Sequence, residues 1–119
     1  LIGRVDTQGN AEKVTLTSLG VFVACDNAGA AYIPIENFGT ENPANSFGTD
    51  FTVDHVAVHN NIAALSIGSR GLALYDISDP EYPIEKGVFP IGYTYMSAFW
   101  EGKLLVCSRE GLQLIAITQ

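Results

Sequence analysis

Few residues in this chain have types and spacing suited to chemistry, and each can be weighed separately. His55 and His59 form an H-x₃-H pair, which on a helix would turn two imidazoles toward one metal. Here Val56 and Val58 alternate with His55, Ala57 and His59, which is the period of a strand. On a strand the two rings share a face but stand about 13 Å apart, at ~3.3 Å per residue. One metal requires about 2 Å to each nitrogen, so this pair does not chelate. Asp76 and Asp79 have the oxygens calcium wants but lack the acid spacing of a calcium loop. They are expected to stabilise the turn before Pro80, with Asp76 and Ser78 accepting hydrogen bonds from loop amides. No metal site is assigned.

Cys25 and Cys107 have neither C-x-x-C spacing nor the number for a disulfide framework. No Ser-His-Asp order, glycine-rich phosphate loop or paired carboxylate stands out, so no catalytic residue and no cofactor are expected. What remains is a contact surface. Arg70 and Arg109 fall in equivalent loops, with Tyr93 and Tyr95 in the connection on the same side. Tyr and Arg are enriched where partners bind. Asp26 and Glu110 share those loops, although Gly68 replaces Asp26 in the second copy.

The elements that position these residues follow from an internal repeat. Val21 to Gly29, Ala63 to Gly71 and Lys103 to Gly111 each read as an apolar strand, a short polar loop and a glycine. The glycines are spaced by 42 and then 40 residues. A second strand follows each time, at Ala30 to Ile35, Leu72 to Ile77 and Leu112 to Ile117. Upstream, Val14 and Leu16 align with Val56 and Val58, then with Met96 and Ala98 without a gap. The same frame makes Cys25, Ile67 and Cys107 equivalent, which predicts two buried thiols in the core, too far apart to join. Ser18-Leu19-Gly20, Asn60-Asn61 and Glu101-Gly102 occupy one tight turn. Ile2-Gly3, Phe47-Gly48 and Lys86-Gly87 open a further strand.

Four strands per period of about 41 residues predict an all-β chain of stacked β-propeller blades. In the second copy the strands are expected near 54–58, 62–67, 71–77 and 84–89. The expected division is an outer strand of a preceding blade in 1–8, blade 1 in 9–50, blade 2 in 51–90 and blade 3 in 91–119, the last lacking its outer strand. About three four-stranded antiparallel blades, starting and ending mid-blade, are too few for a closed ring. With Leu1 at its head, the chain is expected to be a propeller fragment. The alternative is a homo-oligomer, two three-blade halves making one ring.

The segment Leu72-Ala73-Leu74-Tyr75-Asp76-Ile77-Ser78-Asp79-Pro80-Glu81-Tyr82-Pro83, continued by Lys86-Gly87-Val88, resembles the LVIVP repeat. The first copy, Ile35-Glu36-Asn37-Phe38-Gly39-Thr40-Glu41-Asn42-Pro43, keeps the layout and loses the Asp-Ser-Asp-Pro core. The third ends before that segment. The resemblance implies a secreted or surface-attached propeller with a scaffold or interaction role and transfers no catalytic residue.

Composition narrows the partners. The 119 residues carry 13 Asp and Glu against 6 Lys and Arg, a net charge of −7, which disfavours nucleic acid and anionic membrane surfaces. No apolar run approaches the roughly 18 residues that span a bilayer, so no membrane insertion is expected. The expected function is a non-enzymatic extracellular or cell-surface scaffold or protein-interaction module. A protein partner, or the remainder of the same polypeptide, would complete its ring. The alternative is a carbohydrate- or ligand-binding propeller that uses its loop face, with Arg70, Tyr93, Tyr95 and Arg109 as the contact residues.

Overall fold

The computed structural model describes residues 3–38 and 44–117. Among these residues, eleven strands make three antiparallel sheets, and one short 3₁₀ turn, Ile35–Asn37, interrupts them. The first sheet is β1 (Lys13–Thr17), β2 (Gly20–Ala24), β3 (Ala30–Ile33) and β4 (Asn45–Phe47) in chain order. The second is β5 (His55–His59), β6 (Ile62–Ser66), β7 (Leu72–Asp76) and β8 (Ile84–Phe89). The third is β9 (Thr94–Trp100), β10 (Lys103–Ser108) and β11 (Gly111–Ala116). Every neighbour in a sheet is also the neighbour in sequence, as short polar turns between strand-forming runs dictate.

The sheets stack face to face, the second between the other two. Phe22, Tyr32 and Phe47 of the first sheet pack with Val56, Leu65 and Tyr75 of the second. Their rings run in a tilted and edge-on series, Phe22–Tyr32 at 5.1 Å, Phe22–Phe47 at 6.3 Å and Phe47–Tyr75 at 5.2 Å. Such geometry sets the positive ring edge against the negative face. On its other side the second sheet gives Ala57, Ala64 and Leu72 to Leu104 and Val106 of the third. All five β2 residues are buried, because both faces of the first sheet are covered there. In β10 burial alternates instead, since among the described residues one face of the third sheet is left without a neighbouring sheet. Neighbouring sheets come close at their first strands, β1 with β5 and β5 with β9.

The repeat reappears as hydrogen bonds. Glu12 donates its amide to the Ala24 carbonyl, and Asp54 does so to Ser66, 42 residues on at each end. Asp26 bridges Val53, and Gly68 bridges Thr94, tying each loop after a second strand to the chain entering the next sheet. Asp26 and Gly68 both take positive φ, at 53° and 61°.

Two expectations are revised, the alignment of the third copy and the burial of its cysteine. Among the described residues, 3–8 join no strand ladder, and Val5 packs against Val21, Val23 and Ile33. Ile2 and the Gly39 to Pro43 part of the degraded motif lie outside the described residues. The third copy is shifted by one residue from the ungapped alignment. Ser97, Phe99, Leu104 and Val106 face the second sheet, in the places that Val56, Val58, Ala63 and Leu65 hold against the first. Met96, Ala98, Leu105 and Cys107 therefore point outward. The spacing is 41 residues through β9 and β10 and returns to 40 in β11, because the Arg109-Glu110 turn is one residue shorter than loops 26–28 and 68–70. Cys25 is 1% exposed, whereas Cys107 is exposed and Ser108 takes the position equivalent to Cys25 and Ile67.

Candidate functional site

The loop end of the third sheet brings together three of the four expected contact residues. The connection into β9 is pinned from both sides. Thr94 donates its amide to Gly68 at 3.1 Å and its hydroxyl to the Gly71 carbonyl at 2.6 Å. Arg109 donates its amide to the Tyr93 carbonyl at 3.0 Å. Tyr93 is thus held between the β6–β7 loop and the β10–β11 turn. Its ring lies against Gly68, where a built Cβ would stand 3.4 Å from the ring. The residue that replaces Asp26 in the second copy leaves room for this ring.

The β9–β10 register shifts between Cys107, opposite Met96, and Ser108, opposite Thr94, leaving Tyr95 as the extra residue of a bulge. Bulges re-aim side chains, and here the Tyr95 ring lies 5.3 Å from that of Tyr93. The Arg109 guanidinium sits 4.0 Å from the Tyr93 ring centroid, and its Nε donates to the Tyr95 hydroxyl at 3.2 Å. The hydrogen bond to Tyr95 raises the Arg109 pKa above its ordinary value. Gly92, with φ of 102°, lets the Glu110 carboxylate lie beside it; a Cβ there would be 2.8 Å from Oε2. The result is a cluster of the partly buried Tyr93 ring, the exposed Tyr95 ring, a cation and an adjacent carboxylate. It can stack on a planar or CH-rich ligand face and pair with a polar group at its rim.

Arg70 stands apart from that trio. Its guanidinium lies 4.7 Å from the Phe51 ring centroid, at the junction of the first two sheets. Phe51 carries no signal of this in the sequence, because the pairing joins two loops through the stacking of sheets.

The other candidates have local roles. Asp76 accepts from the Ser78 amide at 2.8 Å and from its hydroxyl at 2.6 Å, so Ser78 donates where it was expected to accept. Those two bonds hold the Asp76 carboxyl below its usual pKa. Asp79 accepts from the Glu81 amide at 3.1 Å. His59 lies 5.6 Å from the Phe99 ring. His55 is half-buried, with Nδ1 lacking a hydrogen-bond partner among the described residues, and burial followed by the nearby Lys13 lowers its pKa. Among the described residues, no three His, Cys, Asp or Glu side chains gather as a metal site would require. None of the helices there is long and apolar enough to cross a membrane.

No protein-family model matches the chain, and no curated protein sequence matches it.

Proposed function

We propose that this chain is a segment of a β-propeller that acts as a non-enzymatic extracellular scaffold or protein-interaction module. The observation that carries the reading is the repeated stacking of its sheets. The second and third sheets receive their predecessors with equivalent positions, and neighbouring sheets come close at β1 and β5 and at β5 and β9. Closeness at the first strand of each unit is what a ring of blades around an axis would need, and it supports this reading. Further blades, from the same polypeptide or from a partner, would complete the ring. The LVIVP-like segment after β7 and the acidic, lysine-poor composition favour a secreted or surface setting. Electron-microscopy class averages of the native species test the ring; an open stack without a central axis overturns it.

The Tyr93, Tyr95 and Arg109 platform favours a second reading, a carbohydrate- or ligand-binding propeller. A glycan array separates the two. Specific binding that Tyr93→Ala abolishes would establish ligand recognition and refute a purely structural role.

A further inference from the structure

The two outermost faces of the stack are both apolar, and the repeat relates them. The face on which the second sheet receives the first is built from Val56, Val58, Ala63, Leu65, Ala73 and Tyr75. Moved back by 42 residues, these positions are Val14, Leu16, Val21, Val23, Ala31 and Ile33, the outer face of the first sheet. Val21, Val23, Ala31 and Ile33 are already buried there, packed with Val5, Ala28 and Ala44, so the open part of the face is β1, with Val14 69% and Leu16 76% exposed beside a groove of about 290 Å³. Residues preceding β1 run along this face through Val5, as Phe51 and Val53 line the receiving face of the second sheet.

The opposite end is the matching half. The second sheet meets the third with Ala57, Ala64, Leu72 and Leu74. Their equivalents in the third sheet are Ala98, Leu105, Leu112 and Leu114, on its outer face beside Met96 and Trp100. Leu112 is 68% and Trp100 52% exposed. An interface formed twice inside the molecule is therefore present a third time as two separated halves. The backbone repeats the pattern: β11 has one edge unpaired among the described residues, and residues 3–8 have no ladder.

We propose that the outer face of the third sheet docks onto the outer face of the first sheet of a second copy of this chain. The occupant follows from the interface already present, since each donor face in the molecule is covered by the receiving face of its own repeat. The contact is heterologous, so it closes into a ring only if the rotation permits; two copies would bring six sheets around one axis. His59 meets Phe99 at 5.6 Å inside the molecule. The equivalent contact sets Trp100 against Leu16 of the second copy. The proposal rests on the stacking described under the proposed function, and its test separates the two.

The test is sedimentation of the 119-residue chain over a range of concentrations, with the single tryptophan, Trp100, as an optical reporter. The expected species is twice 12.7 kDa, with Trp100 emission moving to shorter wavelength as it forms. Leu16→Glu and Leu114→Glu each remove the association, and circular dichroism checks that both remain folded; both side chains are more than half exposed. Mixing the two variants restores a pair, because each keeps the face the other has lost. An open-ended series of oligomers broken by the same variants supports the docking and refutes the closed ring. A wild-type chain that stays folded and monomeric overturns the docking and leaves both faces to another protein or to further repeats. A dimer indifferent to both substitutions, or a mixture that fails to pair, overturns it as well.

Discussion

The Arg109 guanidinium lies 4.0 Å from the centroid of the Tyr93 ring, which is itself fixed between two loops of different sheets. A cation over an aromatic face is attracted by the ring quadrupole. A double-mutant cycle of Arg109→Ala and Tyr93→Leu, read by denaturant unfolding, is expected to give a small favourable coupling. Zero coupling would mean that the two side chains merely coincide.

Gly71 and Gly111 stand at equivalent positions with φ of 94° and 109°, yet their surroundings differ. A Cβ at Gly71 would run into the Phe89 carbonyl, whereas at Gly111 it would meet open space. Gly111→Ala should destabilise by about 1–2 kcal/mol, the conformational strain alone. Gly71→Ala should lose more than this or fail to fold, as thermal unfolding of the pair would reveal.

The thiols should react at different rates. Cys107 is exposed on the outer face of the third sheet, and Cys25 is buried with its pKa raised by burial. In dilute solution one equivalent of an aromatic disulfide reagent should react at once, and the second only on unfolding. Two fast equivalents would place Cys25 at the surface.

Stability should fall on mild acidification. Burial and Lys13 lower the pKa of His55 from 6.5, so the unfolded chain takes up this proton first as pH falls. Unfolding midpoints should therefore drop between about pH 7.5 and 5.5, and His55→Gln should flatten that slope. An unchanged slope in the variant would assign the effect to other groups.

At the alkaline end the sign follows from Tyr75. Burial and then the Glu85 charge push its pKa up to about 12, with the hydroxyl 3.4 Å from the Glu85 carboxylate. The unfolded chain ionises first, near 10, so stability is lost as pH rises above that value. Tyr32 is shifted in the same direction, so Tyr75→Phe should remove part of the loss, as urea titrations near pH 11 would measure.

Strand character, the tight turns and the period are determined by the sequence itself, because they act over neighbouring residues. Alternation such as His55 to His59 selects an extended chain, and pairs such as Glu101-Gly102, with φ of 48° and 73°, select the turn. Which face of the third sheet turns inward was not decided at that level. Lys103 to Ser108 alternates acceptably in either frame, and a slip of one residue exchanges all inner and outer side chains. Packing chose Leu104 and Val106 to fill the space against Ala57, Ala64 and Leu72, which sent Cys107 outward and put Ser108 in its place. The same holds for the loop cluster. Tyr93, Tyr95 and Arg109 were legible as residue types in neighbouring loops, but the bulge at Tyr95 and the ring against Gly68 arise only when the second and third sheets meet. Local propensity determined the units, and burial between sheets determined what each unit presents.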